Sequence, residues 1–521
     1  MKKINYILVL TILLLHVSCD GFLSVPPDRR TELDSKEKIA KLLVTAYPIR
    51  SAWMVEEFAS DNTDEIIGIP SLQPSSDLDR PAFFWENPSS EYPDSPAAFW
   101  SACYLAVSTA NHALEAIDKL GNEDGRMDHE RGEALLTRAY AHFRLVNFFC
   151  KHYSEITSSS DLGIPYIEKP ETTVNPQYQR GTVEEVYAKI KRDIEEGLPL
   201  IDDSQYDIPK YHFNKKAAYA FAIRFNLYCR DYDKVITYAS KLFGDDPRSS
   251  LRNWRALSLI SDFDLRGNTF IDTKDPANLL LTVAGSQWPI NVLLNAAKYT
   301  HSRVVNSYET SMARTPWTEP AAGANLNYYC LANGIRENFT ILKYPQSVEV
   351  SDPIAQTGQP YLAQVDFTTD EALLSRAEAY AMTGEYDLAL ADLQVFMNNF
   401  SNTTKVLTRA ELNNYYDNLS YYEPARPTVK KKVNPDFTVL AGEQENFIHC
   451  ILQLRRVLTL HEGLRWYDVK RYGIEVYRRK VDGMTATAYD GDAYFLSKDD
   501  ERRALQIPSG VISAGLQPNP R

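Results

Sequence analysis

Apolar side chains recur at the three- and four-residue spacing of a helix face in four long stretches of the chain. These stretches cover residues 37–58, 97–120, 132–150 and 181–200. In the last stretch a single apolar stripe comprises Val183, Val186, Tyr187, Ile190, Ile194 and Leu198. Thr182 and Glu185 have the spacing of a capping box, so this helix is expected to begin beside them. Alternating strand patterns are nearly absent, and the fold is therefore predicted to be mostly α.

Two helical segments repeat the same sequence pattern. Glu133–Ala141 and Glu371–Ala379 agree at seven of nine positions. Residues 217–242 and 371–396 share a longer layout, an Ala-rich helix, a short turn and a second helix, and the second copy has tetratricopeptide-repeat spacing. Small residues let two antiparallel helices approach closely, and Tyr386 is expected to fill the groove between units. The alternative is a pair of unrelated Ala-rich helices.

Two regions interrupt the helical pattern, residues 59–96 and residues 245–365. They are rich in proline and aromatic residues and have little periodicity. Long irregular stretches inside a compact body usually carry function when they are ordered. We therefore predict a single body over residues 37–521. A helical-repeat scaffold covers about 37–58, 97–243 and 370–480, and a loop-rich ligand region covers about 59–96 and 245–365.

The first nineteen residues have the pattern of an export signal. Lys2 and Lys3 precede an apolar run, Ile7–Leu15, that is too short to span a bilayer, and Ser18 stands directly before Cys19. The pattern is similar to a bacterial lipoprotein signal, although His16 occupies a position where such signals usually carry Leu. Residues 1–18 are predicted to be removed, with Cys19 lipidated and residues 19–36 forming a flexible tether. The alternative is an ordinary secretory peptide with an incidental cysteine.

Charge and cysteine usage narrow the function classes. The 521-residue chain has a formal net charge of −13, which becomes −15 once the signal's two lysines are removed, and this argues against nucleic acid as a partner.

The remaining cysteines are far apart, with no CxxC spacing and no Cys/His cluster, so no zinc site is expected. Four of them fall in apolar helical patterns and are predicted to be buried thiols: Cys103, Cys150, Cys229 and Cys450.

Three stretches together resemble one known family. The opening after the signal reads Cys-Asp-Gly-Phe-Leu-Ser-Val-Pro-Pro over residues 19–27. A long helical motif spans residues 451–473, with its pattern positions at Arg455, Arg456, Glu462, Gly463, Arg465, Trp466, Asp468 and Gly473. The closing segments are Leu-Gln-Ile-Pro at 505–508 and Gln-Pro-Asn-Pro at 517–520. These features resemble the SusD/RagB family of outer-membrane nutrient-binding lipoproteins of Bacteroidetes, although Leu454 and Leu458 stand where many members carry Glu.

The resemblance implies a fold, a location and a partner. It implies a SusD-like, mostly α-helical body with tetratricopeptide-like helix pairs and long irregular loops. Such proteins sit as a lid on a SusC-like TonB-dependent outer-membrane transporter, and they capture an oligosaccharide or another nutrient without catalysis. We therefore expect a lipid-anchored protein of the outer membrane, facing the cell exterior, with no nucleic-acid partner.

Enzymatic and metal-binding alternatives have weaker support in the sequence. Glu462, Arg465 and Asp468 could serve acid–base chemistry, but their spacing predicts a structural charge ladder along a helix. The motifs HExxH, GxSxG, GxGxxG and the Walker loop are missing. No cofactor is expected. Two acidic stretches that could touch Ca²⁺, Asp61/Asp64/Glu65 and Asp490/Asp492, are read as solvated turns.

Sugar recognition needs aromatic faces and planar polar side chains on a surface, and the irregular regions supply both. The predicted ligand-binding residues are Arg80, Trp85, Trp288, Tyr299, Trp317 and Tyr328. The alternative is that such rings anchor the loops on the body. Three functions remain open at this stage: a glycan-binding partner of a transporter, a periplasmic tetratricopeptide-like scaffold for peptides or proteins, and a secreted glycosidase.

Overall fold

Helices account for most of the regular structure in the computed structural model. It describes residues 32–69, 76–90, 92–173, 176–289, 297–318, 328–329, 332–335, 338–341, 343–352 and 357–521. The predicted signal, Cys19 and all but the last five residues of the predicted tether lie outside these residues. The helices are α1 (Lys36–Leu43), α2 (Trp53–Ala59), α3 (Asp79–Phe83), α4 (Pro96–Leu120), α5 (Asp128–Phe149), α6 (Val183–Gly197), α7 (Lys215–Cys229), α8 (Tyr232–Phe243), α9 (Trp254–Ser258), α10 (Phe263–Phe270), α11 (Arg303–Tyr308), α12 (Thr369–Met382), α13 (Tyr386–Phe400), α14 (Arg409–Asp417), α15 (Glu443–Leu458), α16 (Leu464–Arg471) and α17 (Ser509–Ser513). The prediction of a mostly α fold is confirmed.

Successive helices pack as neighbouring pairs. Helix α5 lies against both α4 and α6, α7 lies against α8, and α12 lies against α8, α13 and α15. The predicted helix–turn–helix units correspond to α7/α8 and α12/α13. Arg230 at φ 64° and Gly384 at φ 84° form the left-handed turns that reverse the chain in these two units. Tyr386 packs against Phe447 of α15 with the ring centroids 5.3 Å apart.

The repeated Glu-Ala-Leu-Leu-x-Arg pattern has a structural counterpart in two buried ion pairs. Arg138 of α5 makes a two-pronged contact with Asp193 of α6, at 2.6 and 2.9 Å. Arg376 of α12 makes the same kind of contact with Asp392 of α13, at 2.7 and 2.7 Å. In each pair a guanidinium fixes the next helix through parallel charge-assisted hydrogen bonds. The capping box that was predicted at Thr182 and Glu185 is also present.

Strands occur mainly where the sequence predicted irregular loops, and four short strands lie near the C-terminus. The strands are β1 (Asp64–Ile66), β2 (Asn278–Gly285), β3 (Tyr299–Thr300), β4 (Ala332–Ile335), β5 (Asn338–Ile341), β6 (Ser347–Asp352), β7 (Thr357–Thr368), β8 (Val476–Tyr477), β9 (Arg479–Asp482), β10 (Thr485–Ala488) and β11 (Phe495–Leu496). The three-stranded sheet β2–β7–β6 lies within the second supposedly irregular region. Its strand β2 is buried on both faces over Leu279–Leu281 and therefore lacks the period of two that marks a strand.

A second small sheet joins parts of the chain that are far apart in sequence. Its strand order is β10–β9–β1–β3. Strand β1 pairs antiparallel with β3 and parallel with β9, so residues 64–66, 299–300 and 479–482 meet there. The sheet therefore brings both irregular regions against the C-terminal part of the chain.

The core also accounts for the cysteines. Cys103, Cys150 and Cys450 are buried free thiols, as predicted, whereas Cys229 is a free thiol that is only half-buried. Within the described part of the chain, none of the helices is both long and apolar enough for a membrane span.

Candidate functional site

The five aromatic rings among the predicted ligand-binding residues lie in the interior. Trp85, Trp288, Tyr299, Trp317 and Tyr328 are between 1 and 7% exposed. Arg80 alone is open to solvent, where it pairs with Glu86 at 2.9 Å and lies over Phe84. Each ring finds apolar or hydrogen-bonding partners on the body. Direct contact with a ligand stays a prediction for these residues.

Their contacts are those of loop anchors, the alternative role given to them above. The Trp85 indole donates to the Ala59 carbonyl at 2.9 Å, and the Trp288 indole donates to the His461 carbonyl at 2.9 Å. The six predicted residues fall into separate groups. Trp85 and Tyr299 lie near Phe83 and Phe84. The other three rings contact different elements. These three contacts are Trp288 with Phe58, Trp317 with Gln394 and Tyr328 with Phe400. They therefore do not line a common cleft.

An open cleft of about 420 Å³ lies instead between α11, the loop of residues 420–428 and the β9–β10 hairpin. We call it the tyrosine cleft. Its walls are Val304, Tyr308, Ser420, Tyr421, Ala425, Arg426, Pro427, Thr428, Met484 and Ala486. Tyr308 is 45% exposed and Tyr421 is 37% exposed, so two rings face solvent within one concave surface. Hydroxyl and guanidinium groups lie beside them, which gives the cleft both apolar faces and hydrogen-bonding groups.

The loop that carries Tyr421 is held in a defined shape. The Tyr422 N–H donates to the Lys430 carbonyl at 2.8 Å, and the Thr428 hydroxyl donates to the Ser420 carbonyl at 2.9 Å. The Tyr421 hydroxyl donates to Glu445 at 2.6 Å, and the Lys430 ammonium lies 4.5 Å from the centre of the Tyr421 ring. The exposed ring is therefore held in place before any ligand arrives.

Beneath the cleft, a buried ion network joins its three walls. Glu309 directly follows Tyr308, and its carboxylate contacts Lys431 at 2.7 Å, Arg479 at 2.9 Å and Arg456 at 3.1 Å. Lys431 follows the 420–428 loop, Arg479 begins the hairpin strand β9, and Arg456 belongs to α15. One carboxylate therefore fixes α11, the loop and the hairpin against the helix that carries the C-terminal motif.

Two further carboxylates complete this network. Asp61 accepts from Arg465 at 2.7 and 3.0 Å, and Asp64 accepts from Arg479 at 2.8 and 2.9 Å. With these pairs the network holds four cationic and three anionic side chains, so the cations are in excess. The anions are Asp61, Asp64 and Glu309, and the cations are Lys431, Arg456, Arg465 and Arg479.

The excess of cations sets the pKa values in the network. Burial alone would raise the pKa of Glu309, but Lys431, Arg479 and Arg456 lower it to about 2. Burial would also raise the pKa of Asp61, but Arg456, Arg465 and Lys431 hold it well below the ordinary value. Burial lowers the pKa of Lys431 to about 8, since the attraction of Glu309 and Asp61 only partly offsets the loss of water. The network thus favours the ionised form of the carboxylates, whereas burial disfavours the protonated form of Lys431.

The motif residues that invited a catalytic interpretation serve as structural partners. Glu462 binds Lys343 at 2.8 Å, Arg465 binds Asp61, and Asp468 binds Arg471 at 3.1 Å. The predicted ladder of Glu462, Arg465 and Asp468 along one helix is wrong, because α16 starts only after Gly463, at φ 74°, and Arg465 reaches across to the N-terminal part of the chain. The carboxylates of this motif are paired with cations.

The first acidic stretch also differs from the solvated turn that was predicted. Asp61, Asp64 and Glu65 are at most 7% exposed. Asp61 and Asp64 bind arginines, and Glu65 binds Lys298 at 2.6 Å and accepts from Tyr489. Asp490 and Asp492 are exposed, as predicted. Among the residues that are described, no group of three or more His, Cys, Asp or Glu side chains could hold a metal ion.

Sequence reasoning missed most of the tyrosine cleft. Only Val304 and Tyr308 fall within the predicted ligand regions, and the loop and hairpin lie outside them. The signal that could have found the loop is the run Tyr421-Tyr422-Glu423-Pro424, an aromatic pair beside proline with no helical period.

Comparison with known proteins agrees with this architecture. A family model described as "SusD-like_3: Starch-binding associating with outer membrane" matches residues 21–227. Over these residues the chain resembles the SusD-like family. A putative sugar binding protein from Bacteroides vulgatus superposes on this chain with a TM-score of 0.64 at 18% identity, over 93% of this chain and 98% of that one. A SusD superfamily protein from Bacteroides thetaiotaomicron gives a TM-score of 0.60 at 16% identity, over 94% and 100%.

A further structure has a similar fold. A SusD-like carbohydrate binding protein from Bacteroides vulgatus gives a TM-score of 0.60 at 14% identity, over 92% of this chain and 96% of that chain. No curated protein matches the chain. At identities of 14 to 18%, the solved structures show the fold of this chain and nothing about its ligand.

Proposed function

We propose that this SusD-like protein is a lipid-anchored, cell-surface protein that binds a glycan and delivers it to a SusC-like TonB-dependent transporter in the outer membrane. The observation that carries the proposal is the tyrosine cleft, where Tyr308 and Tyr421 stand exposed in one concave surface. The family description, starch-binding and associated with the outer membrane, supports both the ligand class and the location. The signal pattern that ends at Cys19 supports the anchor.

The chemistry of the cleft suits a sugar. A pyranose ring presents C–H groups on its faces and hydroxyls around its edge, so it pairs with an aromatic face and with nearby hydrogen-bonding groups. Tyr308 and Tyr421 provide the faces, and Ser420, Arg426 and Thr428 provide donors and acceptors. The volume of about 420 Å³ lies at the lower end of the range for ligand sites, which fits a short segment of a longer chain.

The described lining of the cleft favours binding without hydrolysis. Glycoside hydrolysis uses a pair of carboxyl groups on either side of the scissile bond, whereas the residues known to line this cleft include neither Asp nor Glu. The nearest network carboxylate, Glu309, is buried and bound to three cations, which makes it unsuited to accept or release a proton near neutral pH.

Affinity electrophoresis in native gels tests the proposal. The mature chain is run in gels containing amylopectin, arabinoxylan, pectic galactan or laminarin, and the incubated polysaccharide is then examined for released oligosaccharides. We expect retardation by at least one polymer and no released fragments. Replacing both exposed rings (Tyr308→Ala with Tyr421→Ala) should weaken binding about 5- to 150-fold, because two aromatic contacts of about 0.5–1.5 kcal/mol each contribute about 1–3 kcal/mol together.

A matched control separates a site effect from a general surface effect. Tyr211 is 47% exposed and lies outside the tyrosine cleft, so Tyr211→Ala should migrate like the unmodified protein. Release of fragments would contradict a purely binding role. Unchanged migration in all four polymers would contradict glycan binding by this protein.

A further inference from the structure

A second cavity, here called the C-terminal pocket, lies away from the tyrosine cleft. It has a volume of about 350 Å³ and is formed by the first half of α4, residues 165–171 and 176–178, and residues 511–516 at the end of α17 and in the turn that follows it. Its described lining is Trp100, Tyr104, Val107, Ser108, Pro165, Ile167, Lys169, Glu171, Pro176, Gln177, Tyr178, Val511, Ala514, Gly515 and Leu516. The two cavities share none of these residues and no secondary-structure element.

The pocket has an aromatic platform at its mouth and aromatic residues in its wall. Tyr178 is 36% exposed, and its hydroxyl donates to Glu171 at 2.6 Å, which fixes the orientation of the ring. Deeper in the pocket, Trp100 packs against Tyr104 with the ring centroids 4.9 Å apart. The Tyr104 hydroxyl donates to the Pro165 carbonyl at 2.8 Å, so the wall is also held in place.

The walls of the pocket are tied together from behind. Arg180 is 4% exposed, and its guanidinium donates to the Gly163 carbonyl at 2.6 Å and to the Gln517 carbonyl at 3.0 Å. These bonds join the segment that leads to Tyr178 with the C-terminal turn. The cavity therefore has the pre-formed shape that is typical of ligand sites.

The rim chemistry identifies the class of ligand. Lys169 and Glu171 place one positive and one negative charge at the pocket. Because these charges balance, a ligand with a net charge gains no electrostatic attraction there. Ser108 and Gln177 add neutral donors and acceptors beside the aromatic faces. A neutral, hydroxylated six-membered ring with an apolar face matches this combination.

We propose that the C-terminal pocket binds one neutral pyranose unit of the glycan that the tyrosine cleft binds, which makes the protein bivalent for a polysaccharide. This inference rests on the proposed function. Two sites on one body convert the second contact with a long polymer into an intramolecular step, and such linkage can raise the overall affinity by about 10²–10⁴. A short oligosaccharide that reaches only one site gains no affinity from the second site.

The test compares polymer with oligosaccharide, using whichever of amylopectin, arabinoxylan, pectic galactan and laminarin retards the protein, together with its tetrasaccharide. Two variants address the pocket: Tyr178→Ala removes the platform, and Ala514→Trp fills the mouth from an exposed position on the C-terminal turn. Tyr211→Ala again serves as the matched control. Hydrogen–deuterium exchange of the unmodified protein, with and without the polysaccharide, reports which backbone segments the ligand protects.

We expect each pocket variant to bind the polymer at least about tenfold more weakly. The Tyr308→Ala, Tyr421→Ala double variant should keep residual tetrasaccharide binding, and residues 165–178 and 511–516 should gain protection from exchange. If the pocket variants bind like the control and protection is confined to the tyrosine cleft, the second site is refuted while the proposed function stands. If none of the four polymers retards the unmodified protein, the proposed function fails and this inference fails with it.

Discussion

The buried carboxylate of Glu309 offers the sharpest test of how the candidate site is built. Glu309→Gln keeps the size and shape of the side chain but removes the negative charge that three cations surround. The pKa of Glu309 falls from an ordinary value of 4.5 to about 2 in the folded protein. A shift of that size corresponds to about 3 kcal/mol of folding stability at neutral pH. Removing one partner of a buried ion pair costs about 3–5 kcal/mol in general, which agrees with this magnitude.

The pH dependence has a definite sign. Because the folded-state pKa is depressed, the stabilisation is complete above the unfolded-state value of 4.5, and it is lost as the pH falls towards 2. The difference between the unmodified protein and Glu309→Gln should therefore shrink from about 3 kcal/mol at pH 7 to about 2 kcal/mol at pH 3.5. Stability that rises towards pH 3.5 in the unmodified protein relative to the variant would contradict this sign.

The assay is a urea titration followed by tryptophan fluorescence at the two pH values. Glu196→Gln is the control, because Glu196 is an exposed carboxylate near the end of α6. Surface changes of this kind alter stability by no more than about 0.5 kcal/mol. We also expect Glu309→Gln to weaken retardation by the polysaccharide, since the carboxylate fixes the elements that carry Tyr308 and Tyr421. A Glu309→Gln protein that is as stable as the control at pH 7 would refute the reasoning.

Three further predictions concern other parts of the chain. Cys19→Ala should abolish incorporation of radiolabelled palmitate in cells and release the protein from membranes, and labelling of the variant would contradict lipidation at this residue. Arg376→Met leaves Asp392 buried without its partner and should cost about 3–5 kcal/mol in the same urea titration, so a loss below about 1 kcal/mol would contradict the pairing of helices by this contact. Trp85→Phe keeps an aromatic ring but removes one of two donors to the Ala59 carbonyl, the other being Arg478, and it should cost about 0.5–1.5 kcal/mol in thermal unfolding, with an unchanged transition as the contradictory result.

The helical part of the fold could be predicted because its signals are local. The apolar stripe from Val183 to Leu198 and the capping box at Thr182 lie within one short window, and the structure begins α6 there. The same holds for the turn at Gly384, where a small residue takes a left-handed conformation between α12 and α13. Strand β2 gave no such signal, because it is buried on both faces.

The candidate site could not be predicted in the same way, because long-range contacts assemble it. Tyr308 and Tyr421 are over a hundred residues apart, and the ion pair between Glu309 and Lys431 brings their elements together. No periodicity reports such a contact. Composition also cannot tell an exposed loop ring from an anchoring one: Trp85 and Tyr421 both lie in proline-rich stretches, yet only Tyr421 reaches solvent.

The C-terminal motif gains a physical role from this arrangement. Arg456 and Arg465 are each about 2% exposed, and they reach Glu309 and Asp61 in parts of the chain remote from their own helices. A buried guanidinium that holds a carboxylate through parallel hydrogen bonds fixes direction as well as distance. The motif therefore positions the walls of the tyrosine cleft from below without lining the part that faces solvent. It follows that changes within the loop at 420–428 can alter the shape of the cleft while the ion network keeps its walls in place.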